Sequence, residues 1–246
     1  MNLRIKNSSQ PFVSIITPTM RDQHMDQVFN NFDRQYYKNK ELIIVLNKNT
    51  MELDKWQQKA KKYPNVRVYQ IDESASLGAC KNFALEKAKY DYIAHFDDDD
   101  YYSPFYLINS MNCFKKVDTD IVGKATTYIY FARNGVLALY QPSLQNRFFR
   151  HVPDATLVYK KDITKKLKFN DITLAVETDF QKRCIAEGFK IYSGDKYDFV
   201  ICRSAQKGHH TWQESDHSLL RQSMFITITK DFREQIINKR LRKYLS

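Results

Sequence analysis

Four consecutive acids, Asp97-Asp98-Asp99-Asp100, close the apolar run Tyr90-Asp91-Tyr92-Ile93-Ala94-His95-Phe96. Carboxylates this close repel one another by roughly several kcal/mol in a partly buried setting unless a cation, water or basic groups relieve them. A hard divalent ion is the simplest relief, because Mn2+ or Mg2+ takes oxygen ligands and keeps positions open for waters and substrate phosphates. The spacing excludes an EF-hand loop, since Tyr102 stands where its glycine would be and Ile108 where its bidentate glutamate would be. The bland alternative is a solvated acidic turn at the start of the next helix. A second acidic pair, Glu177 and Asp179, opens a helical pattern that runs from Val176 to Glu187. On a helix these two point about 200° apart and so do not share one role, and charge stabilisation at the helix N-terminus is the bland reading for either. His209 and His210 are adjacent, a spacing that is not distinctive of metal ligation, and an exposed loop anchored by Trp212 weighs equally against a metal contact. His95, inside the apolar run, reads as a satisfied core residue. Cys80, Cys113, Cys184 and Cys202 form no C-x-x-C pair, which fits reduced thiols rather than a disulfide framework or a zinc site.

The acids matter only if the chain holds them at an accessible edge. The first hundred residues alternate β-branched runs with helical patterns, the sign of βαβ units and a mostly parallel sheet. Phe12–Thr17 reads as the first strand, 41–46 as the second, 66–71 as the third and 90–96 as the fourth. Helical patterns lie between them over about 22–36, from the turn Asn47-Lys48-Asn49-Thr50 to about Lys62, and over 77–88. In an open α/β sheet ligands sit beyond the carboxyl ends of the strands, where Asp97–Asp100 fall. Beyond Pro104 the spacing predicts a helix over about 104–114 and strands near 120–131, 136–140 and 155–159, followed by the helix that carries Glu177.

The 246 residues suffice for one domain with a real core, and 43% hydrophobic with 14% aromatic residues excludes a disordered basic tail. No apolar run reaches the roughly 18 to 20 residues of a membrane-spanning helix. The segment Met1-Asn2-Leu3-Arg4-Ile5-Lys6-Asn7 lacks a secretion signal, so a cytoplasmic location is expected. The net charge of +11 raises nucleic acid, anionic membranes and phosphorylated substrates as partners. No nucleic-acid module signature is present, and most basic residues are interleaved with acids, so no nucleic-acid partner is expected. From Leu219 to Ser246, Met224, Phe225, Ile228, Phe232, Ile236 and Ile237 recur at helical spacing before the basic end Lys239-Arg240-Leu241-Arg242-Lys243-Tyr244. This predicts a helix that packs on its own domain, with peripheral contact to an anionic membrane as the alternative.

Taken together, Val13-Ser14-Ile15-Ile16-Thr17-Pro18-Thr19, Lys81-Asn82, Phe96-Asp97-Asp98-Asp99-Asp100 with Pro104, and Glu177-Thr178-Asp179-Phe180 resemble, in order, the motifs of family 2 glycosyltransferases. The resemblance covers about residues 11–203, with an echo at His209-His210-Thr211-Trp212. It implies an α/β GT-A (Rossmann-like) fold over 1–203, with a nucleotide-sugar half over about 11–103 and an acceptor half over about 104–203. Residues 204–246 follow as a loop and basic helical extension. By the same resemblance Thr17, Pro18 and Thr19 would hold the nucleotide base. Asn47 stands in the place of the family's usual acid, keeping a hydrogen-bonding side chain without its charge. Asp72 is similar to a base-contacting position, and Lys81 stands where the family commonly has arginine, without its bidentate geometry. The family's D-x-D motif falls on Asp97, Asp98 and Asp99, with Asp97 near the ribose and Asp99 on the metal. The family's Glu-Asp pair is altered to Val176-Glu177-Thr178-Asp179, which leaves Glu177 in the register of the base and Asp179 two places on. His209 or His210 would reach the metal or diphosphate. The implied activity is metal-dependent inverting transfer from a nucleotide-diphosphosugar, UDP-sugar favoured, to a glycan, lipid-carrier or anionic-polymer hydroxyl in cell-envelope, spore-surface or polysaccharide synthesis. A nucleotidyltransferase is the enzymatic alternative, although Thr17-Pro18-Thr19-Met20-Arg21 lacks its glycine-rich loop. An inactive nucleotide- or sugar-binding protein is the other. Donor sugar, acceptor and oligomeric state are not fixed by these motifs.

Overall fold

The computed structural model describes residues 10–204 and 214–237. His209, His210, Trp212 and the basic end 239–244 lie outside them. In chain order the strands and helices are β1 (Val13–Thr19), α1 (Met25–Asp33), β2 (Lys40–Leu46), α2 (Leu53–Ala60), β3 (Val66–Gln70), α3 (Leu77–Lys87) and β4 (Tyr92–His95). There follow β5 (Tyr101–Tyr102), α4 (Tyr106–Lys116), β6 (Ile121–Gly123), β7 (Thr127–Phe131), β8 (Val136–Tyr140), β9 (Arg147–Phe148) and β10 (Val158–Lys160). The remainder is α5 (Ile163–Lys166), α6 (Val176–Ala186), β11 (Ile191–Ser193), β12 (Phe199–Arg203), α7 (Asp216–Arg221), β13 (Ser223–Ile228) and α8 (Arg233–Ile236).

Two sheets result among the described residues. The larger has the order β3-β2-β1-β4-β10-β6-β11-β9 and the smaller β13-β8-β7-β12-β5. β1 to β4 are parallel, as expected of βαβ units whose strands are buried on both faces; Ile15, Ile16, Ile43, Ile44, Ile93 and Ala94 are fully buried. β10 then runs antiparallel to β4, with Val158 beside Ala94 and Tyr159 beside Ile93. This reversal brings the residues just before β10 to the carboxyl end of β4. It is how Asp154 and Ala155, from the second half of the chain, come to the site.

Trp56 of α2 is fully buried in the core over this sheet and donates from Nε1 to Asp22 Oδ1 at 2.6 Å, which ties the turn after β1 to α2. On the other face, α3 begins at Ser76, whose hydroxyl accepts from Ala79 N at 3.0 Å and donates to Asp171. Asn82 exchanges hydrogen bonds with the backbone of Phe169, and Gly78 N donates to Ile172 O at 3.0 Å. The segment 169–172 is therefore laid against the first turns of α3, and it leads directly into α6. Gly78 permits this approach, since a Cβ there would lie 1.8 Å from the carbonyl oxygen of Asn170. Gly78→Ala is expected to lower stability by about 2 kcal/mol or more through forced backbone displacement. Urea unfolding checks this, and an unchanged midpoint contradicts it.

Three expectations are corrected. The strand expected over 120–131 is two, β6 and β7, in different sheets. At the break, Lys124 N donates to Thr156 Oγ1 and Ala125 N to Ser193 Oγ, so side chains replace the ladder. The strand expected over 155–159 starts with a 3-10 turn at Asp154–Thr156 and joins the sheet only at Val158. The stretch from Leu219, expected as one helix, contains β13, which is antiparallel to β8; Met224, Phe225 and Ile228 are exposed there, while Ile236 and Ile237 are buried. The four cysteines are free. Among the described residues no helix is long and apolar enough to cross a membrane.

Candidate active site

β4 ends at His95, and the chain that leaves it is held by aromatic packing. Phe96 stacks on Tyr102 with ring centroids 3.8 Å apart. The Tyr102 hydroxyl accepts from Asp97 N at 2.8 Å and donates to Ala155 O at 2.7 Å. α1 fixes the other end of the loop: Gln27 and Asn31 both donate to Asp100 O at 2.8 Å, and Asp100 Oδ1 accepts from Cys202 N at 2.9 Å. Between these anchors, carboxylate oxygens of Asp97, Asp99 and Asp100 converge within 4.8 Å of one another. Burial, then the neighbouring charges of Asp154 and Asp99, push the Asp97 carboxyl well above the ordinary range. Burial, then Asp99 and Asp97, do the same at Asp100. An all-oxygen donor set with a local excess of negative charge fits a hard divalent cation.

Asp98 faces elsewhere. It is buried and accepts from Thr19 Oγ1 at 2.5 Å and from Arg21 Nε at 3.1 Å, while Arg21 also reaches Asp99 Oδ2 at 3.0 Å. Burial opposes the charge on Arg21, but the two aspartates outweigh it and raise its pKa. Thr17 and Pro18 belong to β1, and Thr17 Oγ1 is buried without a hydrogen-bond partner among the described residues. Asn47 and Asp72 meet at the carboxyl ends of β2 and β3, where Asn47 Nδ2 donates to Asp72 O at 2.8 Å and Asn47 N to Thr19 O at 2.8 Å. Hydrogen bonds from Ser74 and Asn49 bring the Asp72 carboxyl down to about 2, so it is ionised throughout the neutral range. Thr19, Asn47 and Asp72 thus lie together along one rim.

Lys81 is engaged by a carboxylate of its own chain. Its side chain is 2% exposed and forms an ion pair with Asp154, whose other oxygen lies 2.8 Å from His95 Nδ1. His95 Nε2 lies 3.1 Å from the Tyr159 hydroxyl, so both ring nitrogens are partnered. Burial lowers the His95 pKa against the pull of Asp154. Burial would raise Asp154, but Lys81 and His95 hold it well below the carboxylate range. Lys81→Met leaves this carboxylate and that of Asp97 without their cation, and is expected to cost about 3 kcal/mol of stability. Added to Asp154→Asn, it should cost less than the sum of the two by about 1 kcal/mol, measured by urea unfolding; strict additivity contradicts the pairing.

α6 is entered through Ala175 in the left-handed region (φ 55°, ψ 28°), after which Val176 is buried and Glu177 and Asp179 are partly exposed. Asp179 accepts from Asn170 Nδ2 at 3.0 Å and Arg183 Nε at 2.9 Å, an i,i+4 ion pair on its own helix. Glu177 accepts from Thr178 Oγ1 at 3.2 Å, and its charge is felt by His95 and His151. The two carboxylates thus have different surroundings: Asp179 is paired with Arg183 and Asn170, while the charge of Glu177 acts on His95 and His151. Asp154 and Arg21 escaped sequence reasoning. Asp154 lies in Pro153-Asp154-Ala155 with no motif around it. Arg21, by contrast, could have been noticed as a charged residue just beyond the first strand.

The sequence and the fold have counterparts among known proteins. The model of the family described as Glycosyl transferase family 2 matches residues 14–168. The O-antigen biosynthesis glycosyltransferase WbnJ of Escherichia coli is 28% identical over 175 residues, 68% of this chain and 66% of that protein. Similar solved folds include S. aureus TarS 1–349 in complex with UDP-GlcNAc (TM-score 0.61, 16% identity, 83% of this chain and 61% of that chain). A second is the mannosyltransferase PcManGT from Pyrobaculum calidifontis with GDP-Man and Mn2+ (TM-score 0.63, 15% identity, 83% and 60%). This chain thus spans slightly under two thirds of the O-antigen relative and about three fifths of the two solved chains. With the matched region running from β1 through β10 and enclosing the acidic loop, the chain belongs to glycosyl transferase family 2.

Proposed function

We propose that the chain is a metal-dependent, inverting glycosyltransferase that moves a sugar from a nucleotide-diphosphosugar, UDP-sugar favoured, to an acceptor hydroxyl on a glycan, lipid carrier or anionic polymer of the cell envelope. The observation that carries this reading is the convergence of Asp97, Asp99 and Asp100 at the carboxyl end of β4, beside the rim formed by Thr19, Asn47 and Asp72. The bound UDP-GlcNAc and GDP-Man with Mn2+ of the two similar solved structures are consistent with such a rim taking a sugar nucleotide. Thr17, Pro18, Thr19, Asn47 and Asp72 hold the nucleoside; Asp97 and Asp98 order the donor side; Asp99, with Asp97 and Asp100, holds Mn2+ or Mg2+. The ion supplies positive charge for the diphosphate as the bond to the anomeric carbon breaks.

Glu177 takes the proton from the acceptor hydroxyl as that oxygen bonds to the anomeric carbon, and the nucleoside diphosphate leaves with the electrons of the broken C–O bond. Lys81, which holds Asp154 ionised beside this centre, is also the cation that would meet the base oxygen or the diphosphate. His209 or His210 closing on the metal is a further part of the reading. The +11 charge serves an anionic acceptor or an anionic membrane face rather than nucleic acid. Nucleotide release from a panel of UDP-, dTDP- and GDP-sugars, with Mn2+ or with chelator, tests the assignment. Metal-dependent turnover of at least one donor is expected. Nucleotide binding with no turnover of any donor, even with the acceptor glycans present, identifies a binding protein instead.

A further inference from the structure

Asp99 faces two ways. One of its oxygens belongs to the converging set with Asp97 and Asp100, and its Oδ2 accepts from Arg21 at 3.0 Å. We propose that Arg21 competes with the divalent ion for Asp99 and so sets how tightly the ion binds before the nucleotide arrives. This rests on the reading that the three aspartates hold a metal.

The guanidinium cannot simply leave. Its Nε donates to Asp98 Oδ2 at 3.1 Å, a second nitrogen pairs with Asp98 Oδ1, and Asp98 is buried. The backbone is closed onto the same group, since Arg21 N donates to Thr19 Oγ1 at 3.2 Å and that hydroxyl donates to Asp98 at 2.5 Å. Asp98 and Thr19 therefore keep a unit positive charge at the edge of the cation site, whether or not the third nitrogen holds Asp99. An entering ion must take Asp99 from that nitrogen and then sit near a like charge, and both effects weaken it. A diphosphate adds negative charge beside both cations and relieves their repulsion. Ion and nucleotide then strengthen one another, reciprocally, with Arg21 as one source of the coupling.

Mn2+ binding followed by electron paramagnetic resonance, without substrate turnover, tests this on the whole chain with and without saturating UDP. For Mn2+ alone, Arg21→Met is expected to bind about tenfold more tightly than wild type, and Arg21→Lys to stay near wild type. The gain in ion affinity on adding UDP should be smaller in Arg21→Met. Unchanged or weaker binding of Mn2+ alone by Arg21→Met overturns the proposal and leaves the metal site standing. Failure of wild type and variants to hold Mn2+ even with UDP removes the metal reading and the proposal with it. Should Arg21→Met not fold, the Arg21 Nε–H resonance of wild type reports directly. It is expected to shift as Mg2+ saturates the site, and its constancy at saturation overturns the proposal.

Discussion

Asp99→Ala is expected to reduce sugar transfer at saturating Mn2+ by about 10³-fold or more and to remove its metal response. Asp99 shares the converging oxygen set with Asp97 and Asp100, yet it is less buried than Asp98, which is tied to Thr19 and Arg21. Removing it takes away an ion ligand without breaking the anchors of the loop, which come from Tyr102, Gln27, Asn31 and Cys202. It also removes one of the charges that push Asp97 and Asp100 upward. The variant should therefore be at least as stable as wild type while failing in turnover, a combination expected where a site holds like charges for function. Transfer rates across a Mn2+ titration, with a thermal melt alongside, check both halves. Wild-type metal response in the variant contradicts the role of Asp99.

Glu177→Gln is expected to lower the transfer rate by about 10² to 10⁴-fold, the usual contribution of a positioned general base. Asp179→Asn should leave chemistry within a few-fold of wild type. Asp179 already pairs with Arg183 and Asn170 on the outer side of α6, so its substitution loosens a partly exposed helix pair of roughly 0.3 to 0.5 kcal/mol. Glu177 has no cationic partner among its described contacts; it bonds to the Thr178 hydroxyl, and its charge acts on His95 and His151. Comparing the two variants at saturating donor separates the roles. Equal and severe losses, or a larger loss in Asp179→Asn, would reverse the assignment.

The parts of the fold that were legible in the sequence share a physical cause. β1, β2 and β4 are buried on both faces and so appear as apolar runs, β3 at the sheet edge shows instead as an alternation, and the acids that follow β4 stand out because nothing apolar dilutes them. The rim residues Thr19, Asn47 and Asp72 were singled out by the family resemblance, and each lies at or just beyond a strand's carboxyl end. What was not legible depends on which distant strands become neighbours. Asp154 meets His95 only because β10 is antiparallel to β4, and Arg21 meets Asp98 only because β1 and β4 are neighbours. Neither pairing leaves a local pattern. β13 was hidden for another reason. Its register with β8 shifts between Phe225 and Thr227, and the extra residue breaks the two-residue alternation, so that exposed Met224, Phe225 and Ile228 mimic helical spacing. Lys81 was legible as a motif position, but its ion pair with Asp154 was not, because Asp154 comes from a distant part of the chain.

The central claim is that the acidic loop after β4 binds an ion and a nucleoside diphosphate together. Crystals grown with UDP and Mn2+, measured at a wavelength where manganese scatters anomalously, test it most directly. The account predicts one manganese peak within coordination distance of an Asp99 oxygen, with diphosphate oxygens completing its shell and Glu177 across the sugar site. UDP bound with no manganese at Asp99, or manganese and nucleotide bound elsewhere on the chain, would contradict it.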